Sequence, residues 1–264
     1  MRQVSIILIL LFATINLFSQ TTTIEQIEND LHKSYQKILF YRLGTDSIFW
    51  DSLEIENKIF RNKLEQYTSK FPLTLTCNFD SLLKDNIDIV TSDDKLFRIY
   101  SWNTFLGGTM KDFGNVFQYK AADKVYSKIA YDSAEEDVYI PFYSHIFTLK
   151  ANGKSYYLAV NNGIYSTKDA SQSIKIFTIE NNSLNDTMKI IKTEEGLVNS
   201  IDVYFDFFSV IDKPERPLRL IKYDAKNKII YIPVILGNGE VTDRYTLYQF
   251  TGQYFEYIKR KKNK

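Results

Sequence analysis

The stretch Ser92–Lys120, SDDKLFRIYSWNTFLGGTMKDFGNVFQYK, decides the fold. Asp93-Asp94 reads as a polar turn. Leu96–Trp102 then alternates, and so does Asn115–Lys120 after the interruption at Gly107-Gly108. Period-two alternation bounded by Asn, Asp and Gly marks half-buried antiparallel strands. The stretch predicts a turn, a strand, a glycine-containing loop and a second strand.

Two weaker echoes follow. Polar turns precede Lys95, Lys154 and Lys228, and each lysine opens an alternating apolar run. Phe97, Tyr156 and Ile230 come two positions later, and second runs centre on Phe117, Phe177 and Tyr248. Recurring intervals of this kind suggest repeated supersecondary units. From Ile87 to Ile258 the pattern stays at period two and predicts about three groups of four antiparallel strands. The grouping resembles the blades of a β-propeller in shape alone, without a family motif. An open meander, a sandwich or a barrel fits the same pattern, because closed propellers use about 4 to 8 blades. Within this region, strands are expected at Thr187–Lys192 and, as a longer aromatic strand, at Ser200–Val210.

Thr21 to Phe71 has helical spacing instead. Thr22 and Glu25 match a capping box. Ile24, Ile27, Leu31, Tyr35, Ile38 and Leu39 form one stripe, and Gly44 and Asp46 mark a stop and a new start. Phe49, Leu53, Phe60, Leu64, Tyr67 and Phe71 form the next stripe, closed by Pro72. The expected class is α+β, with an N-terminal helical hairpin followed by a large antiparallel β-meander. Residues 1–19 read as a signal peptide, 20–85 as the helical segment, 86–258 as the β domain and 259–264 as a basic tail.

The signal-peptide reading rests on Arg2, the apolar run Val4–Phe18 and the small Ser19 before Gln20. It resembles leader ends of secreted Gram-negative proteins, with cleavage near Ser19. The mature chain is then expected in the periplasm or outside the cell, with no membrane span. An uncleaved anchor is the alternative.

Charge is balanced, with 33 basic and 32 acidic residues, which argues against a nucleic-acid partner. The lone Cys77 permits no intrachain disulfide and no CxxC site. The 19 Tyr, 19 Phe and 2 Trp suit strands, where aromatics pair and cover area, and equally suit glycan or peptide contact.

Five places offer candidate chemistry. Trp102, Asn103 and Thr109 flank Gly107-Gly108 and offer stacking and hydrogen bonds. The same loop can instead tuck under the sheet through Phe105, Leu106 and Met110. Asp202, Tyr204 and Asp206 share one face of a strand. At ~3.3 Å per residue the two aspartates stand about 13 Å apart. Glycosidase pairs need about 5 Å, or at most about 9.5 Å, so these two are not such a pair. Asp132, Glu135, Glu136 and Asp137 form an acidic loop without EF-hand spacing. His145 alternates onto the face of Tyr143 and Phe147. His32 sits on the first helix. Nucleophile and phosphate-loop motifs are missing.

The expected function is a non-catalytic binding or interaction module of the bacterial envelope, without cofactor or metal. Trp102, Asn103, Thr109 and Tyr204 are its candidate ligand-binding residues, and a glycan, a peptide or an envelope protein is its partner. One alternative is a secreted hydrolase using Asp202, Asp206, Glu135 or His145. The other is a structural assembly component, in which an apolar stripe of Phe49, Leu53 and Phe60 would stay exposed.

Overall fold

A computed structural model of the protein describes residues 22–44, 46–130 and 139–258. The expected signal peptide, the acidic loop residues Asp132, Glu135, Glu136 and Asp137, and the basic tail lie outside the described residues. The architecture is α+β.

Helix α1 (Ile24–Tyr41) starts at a capping box made by Thr23 and Gln26, one residue beyond the Thr22–Glu25 pair expected. Gln26 serves as well as Glu, since its side-chain oxygen takes the Thr23 amide at 2.9 Å. Asp46 caps α2 (Ser47–Lys70) as its sequence predicts, accepting the Phe49 amide at 3.0 Å. The two helices meet through Ile27, Leu31, Tyr35, Ile38, Leu53, Phe60 and Leu64, all buried. Lys63–Asp30 at 2.7 Å and Lys37–Glu56 at 3.2 Å stitch the hairpin. Leu53 and Phe60 are therefore interior, and the expected exposed stripe is not there. The outward face of α2 carries Ile48, Ile55 and Ile59 instead. A short helix, α3 (Asp80–Lys84), is tied to α1 by His32 Nδ1 and Asp85 at 2.7 Å.

Three sheets follow. The first has the order β1 (Asp88–Thr91), β2 (Phe97–Asn103), β3 (Phe113–Ala121), β4 (Lys124–Ile129). The second has the order β11 (Ser200–Asp206), β7 (Asp169–Glu180), β6 (Lys154–Ile164), β5 (Phe142–Ala151), with β8 (Ser183–Asn185) on β7. The third has the order β10 (Gly196–Val198), β9 (Ile191–Thr193), β15 (Phe255–Tyr257), β14 (Val241–Phe250), β13 (Ile229–Ile235), β12 (Lys222–Asp224). All pairs are antiparallel except β15 with β9. Neither a closed barrel nor a propeller forms among the described residues.

The groups are not equal fours, because the chain between β8 and β12 is shared out. Of the strand expected at Thr187–Lys192 only Ile191 and Lys192 fall in a strand, β9, which joins the third sheet. The strand expected at Ser200–Val210 ends at Asp206, whose carboxylate accepts the Phe208 amide at 2.9 Å and starts a 3-10 turn over Phe207–Val210.

Layering follows from alternation. On β2, Tyr100 and Trp102 face the helices, while Phe97 and Ile99 face the second sheet. On β6, Tyr157 and Ala159 face the first sheet, while Leu158 and Val160 face the third. The stack runs helices, first sheet, second sheet, third sheet.

Polar pins hold the layers. Thr74, in a 3-10 turn after α2, offers its carbonyl to Arg98 at 2.8 Å and to Tyr100 at 2.7 Å. Gln118 reaches the same turn through Thr74 Oγ1 at 2.7 Å. Between the second and third sheets, Gln172 is fully buried. It donates to Asn162 Oδ1 at 2.8 Å and to the Leu218 carbonyl at 2.7 Å, and accepts the Ile221 amide at 2.7 Å.

Hairpin ends sort into two poles. At one, tight turns carry positive φ at Lys95, Ala122, Asn152, Gly153, Asn181, Asn182 and Lys228. Tyr119 to Asn182 and Asn152 to Gly252 link these turns. At the other pole lie the longer connections. Lys111 N–H to Ile164 O at 2.8 Å, Phe207 N–H to Lys168 O at 2.7 Å and Asp206 N–H to Gly239 O at 2.8 Å hold those loops together.

Gln172→Leu is expected to lower stability by about 2–4 kcal/mol, since it strands two donors or acceptors of the 218–221 segment. Urea unfolding measures this, and an unchanged midpoint would mean the segment is held by packing alone. A second expectation concerns Asp88, whose carboxyl is pushed up to about 6 by burial. Between about pH 4 and 6 the native state keeps a proton that the unfolded chain has released, so stability falls as pH rises. The loss is on the order of 2 kcal/mol, and Asp88→Asn should abolish that slope in unfolding midpoints measured from pH 4 to 7.

Candidate functional site

Two depressions open at the loop pole, on either side of the segment 139–141. The first lies beside Trp102. Trp102 is only 1% exposed and forms part of the floor. Its indole N–H donates to Asn57 Oδ1 at 3.0 Å, and Phe60 meets it edge-on at 5.1 Å. The ring lies flat on Gly114, where a Cβ would come within 2.1 Å of Cζ2. The cleft has a volume of about 350 Å³. Glu54, Lys58 and Arg61 line it from α2, and Thr104 and Asp112 from the β2–β3 loop. Asp112 accepts the Thr104 hydroxyl at 2.9 Å. Burial pushes its carboxyl above the ordinary range, partly offset by the Thr104 hydrogen bond.

Asn103 and Thr109 do not line this cleft. Asn103 Oδ1 accepts the Phe105 amide at 2.8 Å and shapes the loop, where Phe105 has φ of 59°. Thr109 is exposed at the loop tip. The sequence signal for the cleft was the aromatic and glycine content of one loop. Its α2 wall, a polar face at Glu54, Lys58 and Arg61, went unnoticed because the facing partner is 50 residues away in sequence and no local motif joins them.

The second depression lies beside Tyr204, which is 63% exposed and does not itself line it. Tyr204 packs on Tyr165 at 5.9 Å, and Tyr165 on Tyr139 at 4.6 Å. Beneath these rings the face of the second sheet is polar. Asn161, Ser173 and Asp202 form one cross-strand row, and Gly163, Ser171 and Tyr204 the next. Ser173 donates to Asp202, and Tyr165 and Ser171 hydroxyls are 3.0 Å apart. Gly163 has no side chain to block that contact, since a Cβ there would sit 2.4 Å from Ser171 Oγ. Lys175 binds Asp186 at 2.8 Å. Burial raises the Asp186 carboxyl, but the Lys175 ammonium outweighs it and leaves the group below the ordinary range. The depression measures about 180 Å³. Tyr139 accepts the Ile164 amide at 2.6 Å, and burial pushes its phenol up, so it stays protonated at neutral pH.

The structure thus places Asp202 in the lining of one depression and Trp102 in that of the other, with Tyr204 outside both, against Tyr165. Asp206 is spent on its turn and on Lys168 at 3.5 Å. The alternation that put His145 with Tyr143 fails, because a bulge at Ser144 shifts the register. His145 faces the third sheet, against Phe147 at 4.3 Å, while Tyr143 faces the first. Burial holds the His145 imidazole below its usual range. Cys77 is raised by burial, unlike an activated nucleophile. Among the described residues, no group of three or more His, Cys, Asp or Glu side chains is placed to hold a metal ion. No described helix is long and apolar enough to cross a membrane.

Gly114→Ala should displace the Trp102 indole and cost about 1–3 kcal/mol, the usual range for overpacking. In a Trp50→Phe background, Trp102 emission should shift to the red. Unchanged emission would show that the strand yields instead of the ring.

No protein-family model matches the chain, and no curated protein matches its sequence.

Proposed function

We propose that the mature chain is an exported, non-catalytic binding module of the bacterial envelope that engages its ligand at the loop pole. Export is supported by Arg2, the apolar Val4–Phe18 and Ser19. The observation that carries the binding reading is the Tyr204 depression. An exposed tyrosine stands beside a polar sheet face, where the same strands elsewhere bury apolar side chains. Sites of this make-up bind and orient ligands through a few placed polar groups and aromatic area. The chemistry of nucleophilic catalysis is poorly served there, since Asp202 and His145 lie on opposite faces of the sheet. The same reading takes the three sheets as versions of one strand-pair unit. Each of the three turns contains positive φ, at Lys95 and Lys228 themselves but at Asn152 and Gly153, just before Lys154, in the second.

A second reading draws on the Trp102 cleft. Glu54 and Asp112 face it from different elements, and a half-buried carboxyl with a raised pKa suits a general acid. Hydrolysis of glycan or peptide pools by the wild type, abolished in Asp112→Asn, would replace the binding reading with this one.

For binding, glycan and peptide arrays probed with wild type and Tyr204→Ala give the test. The expected result is a retained ligand whose signal drops about tenfold or more in the variant, as for an aromatic hot spot. Ligands bound equally by both proteins would move the contact surface elsewhere.

A further inference from the structure

We propose that the depression beside Tyr204 is a saccharide subsite, with one sugar ring seated over Ser173 and the rest of the glycan lying in the groove along β11. The inference rests on the binding reading above and names its ligand.

Asn161 is the first support. It is 7% exposed, lines the depression, and its amide hydrogen-bonds to no described residue. The amide opens onto the depression, so a ligand group entering there can take the hydrogen bonds that water otherwise makes. It offers two donors and one acceptor. Asp202, across Ser173 in the same row, accepts from the Ser173 hydroxyl and keeps further acceptor capacity. Strands lie about 4.8 Å apart, so Asn161 and Asp202 are separated by roughly 10 Å at the backbone. Side chains rising from those positions bracket one ring. Adjacent sugar hydroxyls each donate and accept, and so can satisfy an amide and a carboxylate together. The 180 Å³ volume has room for one ring, and not for several.

The groove is the second support. Its volume is about 1030 Å³, and Ser200 and Asp202 line both it and the depression, so the two adjoin along β11. Tyr248 and Tyr257 line it, 6.3 Å apart with their planes at 66°. Such rings cover the apolar face of a sugar. Strand addition of a peptide to β11, the edge of its sheet, fits less well. Asp202 and Asp206 put charge on that edge, a feature that opposes strand pairing.

The test is calorimetric titration of the full mature chain with linear tetrasaccharides of glucose, mannose and N-acetylglucosamine, and with blocked tetrapeptides. At least one tetrasaccharide should bind. Asn161→Ala and Tyr248→Ala should each weaken it about tenfold, and Asp202→Asn should weaken it while keeping the Ser173 contact and the fold. Unfolding midpoints check all three variants. Saccharide binding indifferent to Asn161→Ala overturns the inference. So does binding of peptides but no saccharide, which leaves the binding-module reading standing. If no tetrasaccharide binds and Tyr204→Ala also leaves every array signal unchanged, both the inference and that reading fall.

Discussion

The second sheet is covered on both faces, and every other part of the fold answers to that. On β6 and β7 alternate residues point to different cores, so neither strand can rest on a single partner layer. The first sheet supplies one cover and the third sheet the other. The first sheet in turn leaves Tyr100, Trp102 and Val116 on its outer face, and the helical hairpin closes over them. The hairpin is thus the last of a series of covers, each required by the apolar face beneath it.

Stacked burial forces polar groups into the interior, where each must find a partner. Gln172 and Arg98 do so by reaching backbone atoms of irregular segments, and Gln118 by reaching the Thr68 carbonyl of α2 and the Thr74 hydroxyl, so that these segments are pinned to the sheets. A different arrangement holds on the stretch of β7 where the first sheet no longer covers its face. There Phe177 gives way to Lys175, Ser173 and Ser171. One continuous strand thereby passes from core to candidate site, with no change in backbone geometry. The depression inherits the rigidity of the sheet, which keeps the ordering cost of binding low.

Period-two alternation made the strands legible from Ile87 onward, and helical spacing made the hairpin legible before it. Partnership between strands was harder. Nothing local in Ser200–Asp206 says that it pairs with β7, while Gly196–Val198 nearby joins another sheet. His145 shows the limit of phase arguments, since one bulged residue sends every preceding side chain to the opposite face. The loop around Trp102 suggests a contact residue, yet its indole is committed to Asn57, 45 positions earlier. Asn161 drew no notice because its significance lies in having no partner, which only the neighbouring strands reveal. Tyr204 was visible because an aromatic between two aspartates on one strand face points outward.

The sorting of connections into two poles bears on how the protein can be handled and how it can change. The tight turns are held at positive φ by Asn, Gly and neighbouring hydrogen bonds, and they stand away from Tyr204. A fluorophore, affinity tag or surface tether placed at the exposed Asp123 would leave the opposite rim facing solution. The same separation lets the loop pole diverge in sequence while the turns, which set strand register, stay as they are. A scaffold divided in this way can acquire a new recognition surface without reopening its cores.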